Sequence, residues 1–178
     1  MIISISGKAG SGKSTVAKQL AKQLNLKHYS IGDLMRQIAK EKHISLFELG
    51  KLAERDKTID TELDRKQMAL REEDEFVIDG RLSAYFIPNS DLKVFLDCDD
   101  KVRAERIKKE GRKDEFSTDI NETVKQIKER ELSERKRYKK YYNVDYSDKE
   151  LYGLIIDTTN LSVKQVVDGI MKAVAEGK

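Results

Sequence analysis

Four short apolar runs recur along the chain, each too brief for a helix and each ending in a polar or glycine residue. They are "IISIS" (2–6), "FVID" (76–79), "LKVFLD" (92–97) and "GLIID" (153–157). Their density in Ile, Val, Leu and Phe, without strict alternation, is the pattern of strands buried on both faces. "KHYS" (27–30) is a weaker fifth candidate. Between these runs the apolar positions switch to helical spacing. Val16, Ala17, Leu20, Ala21 and Leu24 form one stripe. Ser45 and Glu48 make a capping box ahead of Leu46, Leu49 and Ala53, and Ser162 caps a helix carrying Val163, Val166, Val167, Ile170 and Val174. Alternation of this kind predicts an α/β fold, a five-stranded parallel sheet between two layers of helices. Ligands on such sheets collect at the carboxyl ends of the strands, so candidate chemistry is sought there.

Composition narrows the picture. The 178 residues suffice for one compact domain, and no Pro/Gly/Ser-rich linker or internal repeat divides them. Charged residues make up 38%, yet the net charge is only +3, too small to argue for nucleic acid. Cys98 is the single cysteine, so neither an internal disulfide nor a zinc spacing exists, and its default is a small buried hydrophobe. No signal peptide and no apolar run of membrane-spanning length is present. A soluble, cytoplasmic, monomeric protein without membrane or nucleic-acid partners is expected.

The first strand runs into Gly7-Lys8-Ala9-Gly10-Ser11-Gly12-Lys13-Ser14, followed by Thr15, which fits G-x-x-x-x-G-K-[ST]. Glycines let successive backbone N–H groups curl toward one anion, and the helix that follows adds the positive end of its dipole. Lys13 is placed to reach the β- and γ-phosphates of a nucleoside triphosphate, and the Ser14 hydroxyl to ligate Mg²⁺. A chance glycine turn would lack both the strand before and the amphipathic helix after. No N-K-x-D base-reading motif of a GTPase occurs, and the chain is small for a mechanical ATPase. A small-molecule kinase leads.

Arginines and acids follow the other strands. "YSIGDLMR" puts Ser30, Asp33 and Arg36 at a strand end, although Asp33 is also ordinary helix-capping chemistry and Arg36 an ordinary surface arginine. "DGRL" puts Asp79 where it can hold a Mg²⁺-bound water, and Gly80 permits the turn that aims Arg81 inward. Arg103 and Arg106 stand three apart on one helix, and Arg112 follows Gly111, a plausible hinge. Arg130, Glu134 and Arg137 fall at i, i+4 and i+7, a single helix face. That face reads equally as a solvated surface, and Glu129, Glu131 and Glu134 dilute any field for RNA. Gathered round one glycine loop, these side chains would clamp a transferring phosphoryl group, where catalysis is mostly positioning and charge stabilisation. An acceptor that is a phosphate monoester needs no strong base. That suits a chain whose histidines, His28 and His43, lie outside every motif, one a strand-edge filler and the other an exposed helix end.

With these residues in view, the sequence resembles the nucleoside monophosphate kinases, most of all the short cytidylate kinases of archaeal type. The matches run in order nearly end to end: "GKAGSGKSTVAKQLA", "YSIGDLMR", "RDKTIDTELDRKQ", "FVIDGRL", "DLKVFLD", "VRAERI", "RELSERKRYKKYYNVDYSD" and "GLIIDTTNLS". The resemblance implies a P-loop NTPase core, a monophosphate-binding segment near 31–70 and a short lid near 103–118. It implies ATP on Gly7–Thr15 with Mg²⁺. Ser30, Asp33 and Arg36 would meet the acceptor nucleotide, and Arg81, Arg130, Glu134 and Arg137 would hold its phosphate and surroundings. Arg103, Arg106 and Arg112 would close over the transferring group. The implied reaction is phosphorylation of CMP or dCMP by ATP.

Two departures matter. Longer bacterial relatives carry an aspartate after the "GR" of the third strand that helps read cytosine, and Leu82 stands there instead. Base reading would then fall to the acids of "IDTELD", Asp60 and Asp64, since the exocyclic amine of cytosine wants an acceptor. "DGRLSAY" also lacks the proline usual in adenylate kinases. Kinases for AMP, UMP or a metabolite such as shikimate or dephospho-CoA, and a non-catalytic nucleotide-binding module, stay open at this point.

Overall fold

A computed structural model of the chain describes residues 1–111 and 119–177. Arg112 and the second part of the expected lid lie outside the described residues. Five strands, β1 (Ile2–Gly7), β2 (Lys27–Ser30), β3 (Phe76–Asp79), β4 (Leu92–Asp97) and β5 (Leu154–Asp157), form one sheet in the order β2-β3-β1-β4-β5, all pairings parallel. Among the described residues eight α-helices connect and cover them: α1 (Lys13–Leu24), α2 (Ile31–Glu41), α3 (Leu46–Arg55), α4 (Thr58–Ala69), α5 (Ser83–Phe86), α6 (Asp100–Lys109), α7 (Ile120–Tyr142) and α8 (Val163–Ala175). The strands expected from the apolar runs are present to within a residue.

Burial follows the strand order. Every residue of β1 and β3 is buried, as central strands with helices on both faces must be, whereas the edge strand β5 alternates half-buried and exposed. One face of the sheet packs Ile3, Ile5, Val77, Val94 and Leu96 against α1 and α8 through Val16, Leu20, Val167 and Ile170. The other packs Ile2, Phe76 and Ile78 against α2, α3 and α4 through Ile38, Leu49 and Leu63. Phe95 meets an aromatic cluster from α7 and the chain beyond it, Tyr138, Tyr146 and Tyr152. Cys98 is buried, as its default reading holds.

The chain leaves β1 toward one edge of the sheet and leaves β3 toward the other. The carboxyl end of β1 is therefore the switch point, with β3 and β4 on either side of it. Gly7 ends β1 at φ +148°, and a Cβ there would lie 2.3 Å from the Leu96 carbonyl oxygen of β4. Gly7→Ala is expected to cost about 2–4 kcal/mol, because the atoms it would meet are backbone of the neighbouring strand and cannot swing aside. A shift of the urea midpoint checks it, and a loss under about 0.5 kcal/mol would show that the close approach is dispensable.

Candidate active site

The loop from Gly7 to Gly12 turns through two left-handed glycines, Gly10 and Gly12. Gly10 must be glycine for a second reason: its Cβ would meet the Arg103 backbone oxygen at 2.8 Å. Gly12 occupies the N-cap of α1, and no side chain caps that helix, nor does its first turn carry an acid. By contrast Ser30, Ser45, Asp99, Asp119 and Ser162 cap α2, α3, α6, α7 and α8. An uncapped N-terminus leaves N–H donors for an external anion. Ser11 Oγ, buried in the same loop, has no partner. Lys13 is buried and donates to the Lys8 carbonyl at 2.7 Å. Its ammonium sits well below the ordinary lysine range, first because burial strips its water and then because Arg81 repels it. Lys8 reaches sideways to Asp97 at 2.8 Å.

Beside the loop, Asp79 ends β3 almost wholly buried and gathers three side chains. Ser14 Oγ donates to Oδ2 at 2.7 Å, Ser30 Oγ to Oδ2 at 3.2 Å, and His28 Nε2 lies 2.8 Å from Oδ1. His28 is thus no strand-edge filler. Parallel pairing sets Ser30 opposite Asp79, and His28 follows two residues back on the same strand. His43 is exposed beyond α2, as expected. The Ser14 hydroxyl and the Asp79 carboxylate are hard oxygen donors and suit Mg²⁺, which binds few protein ligands and takes the rest from phosphates and water. Among the described residues no group of three or more His, Cys, Asp or Glu side chains gathers to hold a metal.

Next to the loop opens a cavity lined by Lys13, Arg36, Asp60, Asp64, Gln67, Asp79, Arg81, Arg130, Glu134, Arg137, Tyr138 and Tyr142, among others. Glu134 is its hub. Arg81 Nε donates to Oε2 at 2.7 Å and Arg130 Nε to Oε1 at 3.0 Å. Arg81 also donates to the Gly7 carbonyl at 2.8 Å, tying this hub to the phosphate loop. Burial would raise Glu134, but Arg81 and Arg130 outweigh it and hold the carboxyl at about 2. Arg137, buried, faces Asp60 with Nε 2.9 Å from Oδ2, and neither atom has a well-directed hydrogen bond. Burial pushes Asp60 up to about 6 against the pull of Arg137. Arg36, from α2, is held by Asp33 at the cavity mouth, and the Ser30 cap accepts from the Asp33 N–H at 3.3 Å. Arg130, Glu134 and Arg137 thus lie on one face of α7 that lines the cavity, and Asp60 joins that lining from α4.

Arg103 and Arg106 diverge from expectation, since neither lines the cavity. Arg103 is fully buried behind the loop, donating to the Ala9 carbonyl at 3.1 Å and paired with Asp100 and Glu131. Its place is that of a brace on the loop's outer side. Arg106 turns to the opposite shoulder, donating to Thr158 Oγ1 at 3.0 Å and to the Thr158 carbonyl at 2.7 Å. Thr158 in turn donates to the Ser11 carbonyl at 3.1 Å, so Arg106 flanks the loop from the β5 side. Gln67 and Tyr142 were not foreseen. Gln67 falls on the same α4 face as Asp60 and Asp64, a spacing that was available to sequence reasoning.

An uncapped glycine loop after β1, with a lysine and a serine at its helical end and a second arginine-lined cavity alongside, defines a P-loop phosphotransferase for a small acceptor. Comparison with known proteins sharpens this. Residues 2–160 match the model of the Cytidylate kinase-like family, and the chain belongs to that family. It is 42% identical to the cytidylate kinase of Pyrococcus horikoshii over 97% of this chain and 87% of that one. With the cytidylate kinase of Methanocaldococcus jannaschii it shares 38% over 98% and 97%. Among solved structures it resembles a shikimate kinase from Acinetobacter baumannii in fold, with a TM-score of 0.61 at 13% identity over 99% of this chain and 94% of that one. No helix among the described residues is long and apolar enough to cross a membrane.

Proposed function

We propose that the chain transfers the γ-phosphoryl group of ATP to CMP and dCMP, giving ADP with CDP or dCDP by direct in-line displacement. The observation that carries this reading is a shared wall. Lys13 and Arg81 belong both to the phosphate loop's surroundings and to the acceptor cavity, so two phosphates seated there would meet between them. ATP would lie on Gly7, Lys8, Ala9, Gly10, Ser11, Gly12, Lys13, Ser14 and Thr15. Ser14 would ligate Mg²⁺ directly and Asp79 through water. The ion, when bound, supplies charge neutralisation to the β- and γ-phosphates.

In the acceptor cavity Arg36, Arg81, Arg130 and Arg137 would hold the monophosphate and Glu134 the arginines themselves, while Ser30 and Asp33, which do not line the cavity, would act by placing Asp79 and Arg36. The acceptor's phosphate oxygen is anionic near neutral pH and attacks phosphorus without a protein base. Lys13 and Arg81 meet the charge that spreads over the moving oxygens. The chain acts as a single cytoplasmic domain and a monomer, with 31–70 as the acceptor-binding segment and 103–118 as the lid.

A coupled assay of ADP release with CMP, dCMP, UMP, AMP and GMP tests the reading. CMP and dCMP are expected to turn over fastest. Turnover independent of any acceptor, or fastest with AMP, would overturn it.

A further inference from the structure

We infer that Asp64 and Gln67 of α4 read the acceptor base, Asp64 as an acceptor fixed by Tyr142 that sets the choice of cytosine over uracil, and Gln67 through an amide that turns to suit either pyrimidine. The inference rests on the proposed kinase activity and concerns the same cavity. Three observations carry it. Asp60, Asp64 and Gln67 recur at i, i+4 and i+7, so one helix stripe gives the cavity its polar wall. Gln67 is only 3% exposed, yet its Oε1 has no partner, a rare and costly condition unless something else enters. Tyr142 Oη donates to Asp64 Oδ2 at 2.6 Å, which locks the carboxylate and leaves its other oxygen as an acceptor.

The chemistry of the two pyrimidines decides what such a wall prefers. Cytosine presents an amine donor at N4 beside the acceptor N3. Uracil presents the acceptor O4 beside the donor N3–H. A locked carboxylate accepts from the cytosine amine and opposes uracil O4, lone pair against lone pair. Gln67 is indifferent, because its amide can rotate to donate to cytosine N3 or to accept from uracil N3–H. Asp60 is occupied with Arg137 and serves to place that guanidinium rather than to read the base. The apolar walls Ile31, Met35, Leu63 and Leu82 suit the flat faces of a base but cannot tell one pyrimidine from the other.

The two side chains should therefore fail differently. Asp64→Asn, which turns an acceptor into a donor toward O4, is expected to lower the CMP to UMP ratio of kcat/KM by roughly 10- to 100-fold. Gln67→Met should weaken both nucleotides by roughly tenfold and leave the ratio within about threefold. Tyr142→Phe, which frees the carboxylate without removing it, should lower the ratio several-fold. Calorimetric binding of CMP and UMP to the same variants should move in parallel, and melting curves report whether each is folded. An unchanged ratio in folded Asp64→Asn overturns the inference. Should that variant not fold, an unchanged ratio in Tyr142→Phe overturns it equally. If the unmodified protein turns over no nucleoside monophosphate, the kinase reading fails instead, and binding alone then judges the base wall.

Discussion

Arg81→Ala is expected to lower kcat for CMP phosphorylation by roughly 10³-fold or more while leaving the KM for ATP within about tenfold. The side chain touches the Gly7 carbonyl on one side and Glu134 on the other, so it stands where donor and acceptor phosphates would adjoin. An arginine there meets charge that exists only as phosphoryl transfer proceeds, and loss of such a contact falls on kcat. Arg36 offers the contrast. It is held by Asp33 at the cavity mouth, far more exposed than Arg81, and should act on the ground state. Arg36→Ala should raise the KM for CMP by about tenfold to a hundredfold with a smaller effect on kcat.

Arg81 is also a partner in a buried ion pair, and truncating it leaves Glu134 less compensated, a cost of roughly 3–5 kcal/mol. Lost activity could then report lost folding. Arg81→Lys separates the two, since it keeps the charge but loses the planar fork that spans Gly7 and Glu134. A folded Lys variant with kcat reduced by less than about tenfold would show that Arg81 acts only as a structural counter-ion.

How far the sequence led differs by element for physical reasons. Strands and helices were legible because apolar periodicity is local, and the core strands β1 and β3 carry it without interruption. The phosphate loop was legible because its glycines answer a backbone demand, close approach at Gly7 and Gly10 and positive φ at Gly10 and Gly12. The Arg130, Glu134 and Arg137 face was legible because helix geometry alone sets i, i+4 and i+7. Arg103 and Arg106 stand away from the cavity lining for the complementary reason. Three residues on a helix are about 60° apart, and long side chains from those positions part company when neighbours differ. Here the Ala9 carbonyl and Glu131 draw one, and Thr158 the other. His28 was missed because its importance arises from the pairing of β2 with β3, which no local pattern specifies. Gln67 continues the Asp60 and Asp64 stripe, but its buried, unpartnered Oε1 is visible only once α4 packs against the cavity.

Glu134→Gln should be destabilising in the absence of anions, yet rescued by phosphate. One carboxylate, Glu134, pairs with both Arg81 and Arg130, with Arg137 close by. Its pKa is held at about 2, against an ordinary 4.5. A group depressed in the folded state binds fewer protons there than in the unfolded chain. The stability it lends is therefore fully present above about 4.5 and is lost as pH falls toward 2, on the order of 3 kcal/mol in all. The difference in unfolding free energy between the natural protein and Glu134→Gln should accordingly be flat from about pH 5 to 8 and shrink on further acidification. Phosphate supplies the other half of the test. In the natural protein an incoming anion must share guanidinium groups with the Glu134 carboxylate, whereas in the variant it no longer competes with that charge. Inorganic phosphate should then raise the Tm of Glu134→Gln by more than that of the natural protein, by the logarithmic gain expected of a ligand that binds only the folded state. Equal shifts, or a larger one in the natural protein, would mean that Glu134 and the acceptor phosphate do not compete for the same arginines.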